Sequence, residues 1–549
     1  MKEGFRQCMA WLHTWTGLVV GWVLFFVFVT GTAGYFTFEI DRWMRPELPL
    51  VASSGIAPQD ALAKAQSYLE QNAQGAESWS ISLPGDRAQP SLGVQWQPKR
   101  ADGERGGGRN RGKRVTLDEQ TGAAVEAEQV RATGGGHLLY RMHYQLHYIS
   151  YDVAIRLVGV CTMLMFLAIL TGVVTHKKIF KDFFTFRPAK GQRSWLDAHN
   201  IISVMALPFF VMITYSGLVF FMFNYMPLGV AGVYGAEKEG RDQFFKELYP
   251  QRNNARKGPS VPAELTPLAP LLAAAEKEWG VGQVQRINIA RPYTANSEVT
   301  VSRRAGGDIS NEPAMRFNGV TGVKTEVDIP ESGSRAFQSV ILGLHEGRFA
   351  GPLLRWVYLI SGLLGAAMIS TGLVLWTVKR KVKQDKLIKA GQRREFGFRL
   401  VECLNIGTIA GLSFAVAVYF WANRLIPAEF AGRREWEVHA MFIAWGLALV
   451  YPAFRPALRA WIEELWLAAA AFMLLPLLNL LTTERHLGVS VPAGDWVLAG
   501  FDLTMLALGA FFALAARKVQ RKLKAAPAAP RPAKVAASSS AVSTLETAS

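Results

Sequence analysis

Eight apolar stretches decide what this chain can fold into: about 11–36, 152–175, 200–226, 352–378, 399–421, 437–453, 462–482 and 496–516. A span needs roughly 20 mostly apolar residues to cross about 30 Å of hydrocarbon. Within lipid, an open chain can satisfy its backbone only as a helix. The sixth stretch is the shortest. The first follows Lys2 and Arg6 and so looks like a secretory leader. Its apolar run is too long for one, and no small-x-small cleavage site precedes Glu39, so it reads as a retained anchor. With 50% hydrophobic and 19% charged residues, the composition fits a polytopic membrane protein and excludes a disordered chain. Cys8, Cys161 and Cys403 lie in or beside apolar runs and form no CxxC motif or disulfide framework.

The basic residues orient the spans. Lys177, Lys178, Lys181, Arg187, Lys190 and Arg193 fall in one short loop, and eight Lys/Arg between Lys379 and Arg394 fall in another. Arg455 and Arg459, then Arg517, Lys518, Arg521, Lys522 and Lys524, follow further on. All four groups share one side if both termini are cytoplasmic. The net charge of +17 is then a property of the loops facing membrane lipid, and no nucleic-acid partner is implied.

Two long polar segments, about 40–140 and 227–343, lie on the other face. Each reads as a helix followed by short alternating strands. In the first, the helix is 57–71 and the strands 79–83, 92–96 and 114–117. In the second, the helix is 263–279 and the strands are near 284–289, 298–301 and 314–317. Each ends in a turn, Asp118–Gly122 and Asn318–Gly322. Arg100–Arg114, rich in Gly and Arg, reads as a solvated loop, and the Ala/Pro/Ser-rich tail beyond Ala525 as disordered.

The first half is duplicated. His13 precedes Gly31 by the same 18 residues that separate His199 from Gly217, and a Thr or Ser stands before each glycine. Helices two and four carry Thr171-Gly172 and Thr371-Gly372. His345 lies 27 residues before Gly372, and His143 and His147 lie 29 and 25 before Gly172. The spacing therefore places His13 and His199 at the cytoplasmic edge, and His345 with His143 or His147 at the outer edge. Histidines at membrane depth are costly unless partnered. Two imidazoles from facing helices are the axial set of a b-type haem, which needs no CxxCH; two stacked haems would make an electron wire. His143 and His147 share a helix face, and the spacing does not separate them. His176 reads as interfacial, His137 as a loop residue after Gly134–Gly136, and His439 and His486 have no repeat partner. Asp502 reads as hydrogen-bonded within the bundle, and Asp197, next to His199, as facing the loop. Arg348 and Arg355 fit lipid headgroups as well as an anionic ligand and stay outside the site. Tryptophans near span ends read as belt anchors.

Leu12-His13-x-Trp15-x-Gly17-Leu18 with Thr30-Gly31 resembles the first helix of the PepSY-associated transmembrane family. Met142-His143-Tyr-Gln-Leu146, Ser194–Asn200 and Leu344-His345-Glu-Gly347-Arg348-Phe349 resemble its other motifs, over roughly residues 5–380. The resemblance implies a bacterial inner-membrane protein and one haem-ligating histidine per core helix. His13 and His199 would hold one haem b, and His143 or His147 with His345 the second. It also implies a haem-dependent ferrisiderophore reductase acting in iron uptake on a ferric siderophore or other ferric chelate. Fold class and domains follow: a polytopic α-helical membrane protein of about eight transmembrane helices with two periplasmic α+β PepSY-like domains. The segments are a first span (1–38), PepSY-like domain 1 (39–140), two spans and their loop (141–226), PepSY-like domain 2 (227–343) and a fourth span (344–380). A basic loop (381–398), four spans beyond the family's core (399–516) and the tail (517–549) complete the chain.

No G-x-G-x-x-G opens a helix after a strand; Gly103–Gly108 lies in a polar loop. Electrons would come from a quinol or a donor protein. The other classes are a haem-free protein restraining a periplasmic peptidase and a siderophore or iron transporter. Against the transporter, the spans lack a chain of mid-depth carboxylates.

Overall fold

The computed structural model describes residues 3–48, 55–85, 87, 91–99, 112–125, 130–176, 179, 183–188, 190–248, 261–304, 306, 309, 314–325 and 333–524. From the basic end, α1 (Glu3–Gly34) runs to the opposite end, where the short α2 (Thr37–Trp43) turns off it. A first α+β unit follows: α3 (Pro58–Asn72), β1 (Ser78–Ser82), β2 (Gly93–Gln97) and β3 (Lys113–Thr116). The chain returns through α4 (Gly135–Gln145) and crosses in α5 (Tyr151–Thr175). The next crossing is a pair, α6 (Gln192–Met205) and α7 (Leu207–Phe220). The second unit is α8 (Leu268–Trp279), β4 (Val284–Ala290), β5 (Glu298–Arg303) and β6 (Ala314–Asn318). Then α9 (Gly333–Glu346) and α10 (Pro352–Lys389) repeat the order of α4 and α5. Four more crossings are α11 (Phe396–Ile406) continued through a π turn by α12 (Leu412–Leu425), α13 (Arg433–Val450), α14 (Ala457–Met473) with α15 (Leu475–Thr482), and α16 (Trp496–Lys524).

Among the described residues, seven helices are long and apolar enough to cross a membrane, and the pair α6/α7 makes eight. That pair corrects the third expected span: it starts earlier and bends by 68° at Ala206. Pro208, in the first turn of α7, has no N–H to continue the ladder and its ring crowds the preceding turn. Elsewhere small residues bring helices close; a Cβ on Gly21 of α1 would lie 2.8 Å from the Leu373 side chain of α10. The last four crossings pack on α1 from its other side, with Phe25 and Phe26 buried among Leu412, Phe420, Leu465 and Phe472.

The two α+β units share one antiparallel sheet of six strands, in the order β3-β2-β1-β4-β5-β6. The expected strands are all present. Joining the halves, β1 pairs with β4 from Ser78↔Ala290 to Ser82↔Arg286. Each three-stranded half alone would leave that edge bare, and mutual pairing covers both edges. Alternate residues point to one face, where Trp79, Ile81, Val94, Ile287, Ile289, Val299 and Val301 pack under α3 and α8. Helix α8 starts five residues later than its apolar pattern suggests, because Pro267 stands at its N-cap. The two terminal turns are built alike: Asp118 Oδ1 accepts from the N–H of Gln120 and Thr121, and Asn318 Oδ1 from those of Val320 and Thr321. Gly122 and Gly322 follow with φ of +74° and +68°.

Helices α4 and α9 straddle the expected boundaries at 140/141 and 343/344, and both pack on crossing helices, α4 on α1 and α9 on α7. The loop expected around His137 is therefore helix, and Gly134–Gly136 form its start. The sheet is tied to the bundle by Glu39 of α2, which pairs with Arg87 at 2.6 Å and with Arg355 of α10 at 2.6 Å. Most of the Gly/Arg-rich run, including Gly103–Gly108, and the tail from 525 onward lie outside the described residues.

Candidate functional site: two histidine pairs between the repeats

Near the basic end, His13 of α1 and His199 of α6 face each other with ring centres 6.2 Å apart. At the sheet end, His143 of α4 and His345 of α9 do the same at 6.0 Å. Along α1, His13 and the Val27 carbonyl that meets His143 are 14 residues apart, about 21 Å of helix. The pairs therefore occupy two levels.

Each imidazole is held through Nδ1. His13 Nδ1 lies 2.8 Å from the Ala168 carbonyl and His143 Nδ1 2.7 Å from that of Val27. His199 Nδ1 lies 3.0 Å from the Met368 carbonyl and 3.1 Å from Thr371 Oγ1, and His345 Nδ1 2.8 Å from Ser216 Oγ. A carbonyl can only accept, so at His13, His143 and His199 the proton sits on Nδ1 and Nε2 keeps its lone pair. Fixing one ring nitrogen in this way orients the other for a metal.

The four Thr/Ser-Gly steps supply the room. A Cβ on Gly172 would lie 3.1 Å from His13, on Gly372 3.2 Å from His199, on Gly217 3.2 Å from His345 and on Gly31 2.3 Å from His143. The preceding hydroxyls, Thr30, Thr171, Ser216 and Thr371, each bond back to a carbonyl of their own helix, at 2.7, 2.8, 2.6 and 2.9 Å. The repeat spacing was visible in the chain. That each glycine serves a histidine on a different helix was not, because the contact joins segments over a hundred residues apart.

His143 and His147 now separate. α4 ends at Gln145, and Leu146 takes a positive φ of 55°. His147 lies beyond the break and stacks on Phe442 of α13 at 5.5 Å. Its neighbour Tyr148 hydrogen-bonds His439. His486 caps a short turn by accepting from the Gly488 N–H at 3.2 Å, and His176 caps α5. Asp197 pairs with Arg187 at 2.8 Å rather than with His199. Asp502 accepts from Trp43 Nε1 at 2.9 Å and Asn479 Nδ2 at 3.0 Å, a bonded carboxylate within the bundle. Arg348 pairs with Glu346 and Arg355 with Glu39.

Around the basic-end pair is a cavity of about 570 Å³, lined by His13, His199, Gly172, Gly372, Trp376 and Arg380 among others. Its walls are mostly apolar. At its rim the Arg380 guanidinium lies 3.9 Å from the centre of the Trp376 ring. Among the described residues, no cluster of three or more His, Cys, Asp or Glu side chains forms a site for a bare metal ion.

The sequence profile of the PepSY-associated TM region matches residues 10–379, a stretch holding all four paired histidines and the whole sheet. The chain is also 27% identical over 420 residues to the uncharacterized protein PA4219 of Pseudomonas aeruginosa, covering 72% of this chain and 97% of that relative. With the profile spanning most of its length, the chain belongs to the PepSY-associated transmembrane family.

Proposed function

We propose that this multi-pass protein is a di-haem b reductase of the bacterial inner membrane, passing electrons to a ferric siderophore or other ferric chelate on the periplasmic side. The observation that carries this reading is the pair of facing imidazole couples, 6.2 and 6.0 Å between ring centres, with Nδ1 engaged in each ring. An iron bonded to two imidazole nitrogens at about 2 Å each leaves their ring centres about 6 Å apart, so the residues fit the group. The glycines opposite each ring and the 570 Å³ cavity fit it as well.

His13 and His199 would hold the haem at the basic end, His143 and His345 the one at the sheet end. When bound, haem b supplies an iron that takes up and gives back one electron at a time. The chain's own part is to orient the four Nε2 atoms, to keep water out with apolar walls, and to present the substrate near the sheet. Reduction of the ferric chelate to Fe(II) loosens it, because hard oxygen ligands favour the higher charge. The Lys/Arg bias supports a cytoplasmic basic end and cytoplasmic termini. A quinol or a donor protein would supply the electrons, since among the described residues no nucleotide-binding domain stands at the basic end.

The test is a reduced-minus-oxidised absorbance spectrum of the purified protein with haem quantified per chain. Two low-spin b haems are expected. His13→Ala or His199→Ala should remove one, and His143→Ala or His345→Ala the other, while His147→Ala keeps both. A chain that binds no haem when haem supply is adequate would overturn the reading and favour a haem-free regulator of a periplasmic peptidase.

A further inference from the structure

The last four crossings lie beyond the matched stretch, yet they reach one end of the helix that carries His143. We propose that Glu437 of α13 and Tyr419 of α12 are positioning residues for His143, acting by fixing the N-terminus of α4; the role of His143 itself rests on the reading above. Helix α4 has 11 residues, about 16 Å, too short to hold its shape or place by itself. Its position is set by packing on α1 and α2 together with what grips its start.

At its start the grip is close and buried. The Thr133 hydroxyl donates to Glu437 Oε2 at 2.6 Å, and the Gly134 N–H reaches the same oxygen at 3.3 Å. The Tyr419 hydroxyl donates to the Gly135 carbonyl at 3.0 Å. Asn423 Nδ2 donates to Glu437 Oε1 at 2.8 Å and Arg433 to the Ala132 carbonyl at 2.9 Å. Tyr419, Asn423 and Glu437 are fully buried, so the carboxylate is held by these donors and by the Arg433 guanidinium rather than by water. A negative charge at a helix N-terminus is also favoured by the exposed N–H groups there.

The three glycines explain how tightly α4 is seated. A Cβ on Gly134 would lie 2.7 Å from the Tyr419 hydroxyl, one on Gly135 1.6 Å from Asp41 Oδ1, and one on Gly136 2.4 Å from the Thr37 carbonyl. From the other side Asp41 accepts the Gly136 N–H at 2.9 Å. α4 is thus clamped between α2 and the C-terminal crossings. Nine residues on, the His143 ring stands against Gly31 with no slack, so a shift at the start of α4 reaches the imidazole. The basic-end pair is held differently: His13 and His199 are bonded directly to α5 and α10.

The experiment compares Glu437→Gln, Tyr419→Phe, Thr133→Val and Thr133→Ser in the full chain. Two measurements are made on each: the absorbance spectrum and midpoint potential of each haem, and hydrogen exchange over 135–145 and 333–346. The basic-end haem is the internal control for folding. The first three variants are expected to shift or lose the sheet-end haem while the basic-end haem is unchanged, and Thr133→Ser to behave as the parent. Exchange over 135–145 should quicken roughly tenfold, as when a helix cap is lost, with 333–346 unaffected. Parental spectra and exchange in all three variants would overturn the inference, as would equal loss of both haems. If the parent chain holds no haem, the proposed function fails. The exchange data then decide alone whether Glu437 and Tyr419 place α4.

Discussion

Gly31 of α1 stands directly against the His143 imidazole, where a Cβ would lie 2.3 Å from Nδ1 and 2.6 Å from Cε1. Two residues from different helices thus share a space that only hydrogen leaves open. Gly31→Ala should displace the ring, at an overpacking cost of about 1–3 kcal/mol. At the other three steps the nearest ring atom would be 3.1–3.2 Å away, so Gly172→Ala, Gly217→Ala and Gly372→Ala should be milder. Haem per chain is the readout: Gly31→Ala is expected to lose the sheet-end cofactor and keep the other. Full retention in Gly31→Ala would mean that His143 is not held where the packing puts it.

Glu39 joins the sheet to the bundle through Arg87 and Arg355, and its charge state is a pH-dependent link. Burial raises its carboxyl pKa, but hydrogen bonds and charge from Arg87 and then Arg355 outweigh this and hold it below the ordinary value. A carboxyl with a depressed folded pKa contributes stability that is complete above its unfolded value and is lost as pH falls through the folded one. Acidification below about pH 4.5 should therefore loosen Arg87 from α2, read as faster exchange of the Arg87 amide. In Glu39→Gln this acid dependence should vanish, and at neutral pH the substitution should cost about 1–3 kcal/mol, because two guanidiniums lose the carboxylate charge and one of its two acceptor oxygens. An acid response that persists unchanged in Glu39→Gln assigns the link to another group.

The spans were legible because a crossing helix needs one long apolar run, and the strands because Trp79, Ile81, Val94 and Trp96 alternate with polar residues. The histidine levels were legible because the duplication repeats its spacing. What stayed hidden depends on partners distant in the chain. β1 and β4 alternate in the same way whether they belong to separate sheets or to one. Gly134–Gly136 read as a loop because three glycines disfavour helix; the close approach of Thr37, Asp41 and Tyr419 is what requires them. His143 and His147 share a face only while the helix continues, and it stops at Gln145.

Asp502 anchors a second buried network. It accepts from Trp43 and Asn479, and Asn479 in turn accepts from Arg424 Nε at 2.9 Å, whose guanidinium lies 3.6 Å from the centre of the Trp43 ring. Asp502→Ala leaves the buried Trp43 and Asn479 donors without their acceptor, while Arg424 keeps its bonds to Asn479, Asn423 and the Trp43 carbonyl. The loss should be about 1–3 kcal/mol for each donor. Asp502→Asn keeps an oxygen for Trp43 and should lose less. Thermal unfolding in detergent measures both. Equal stability of Asp502→Ala and the parent would show that water or lipid headgroups satisfy these donors instead.

The shared sheet makes a prediction about cooperativity. Ile287 of β4 is fully buried and pairs with Ile81 of β1, so it lies on the seam between the two duplicated units. Trimming it to alanine removes packing from both halves, at about 2–5 kcal/mol. Two units folding separately would confine the damage to the second, which contains Ile287. In one six-stranded sheet, exchange protection of β1 and β2 should fall together with that of β5 and β6, and both halves should unfold in a single transition. The same substitution at Ile81, in the first unit, should give the same pattern from the other side. Protection lost only in the half that carries the substitution would mean that the β1–β4 pairing contributes little and that the two units are energetically independent.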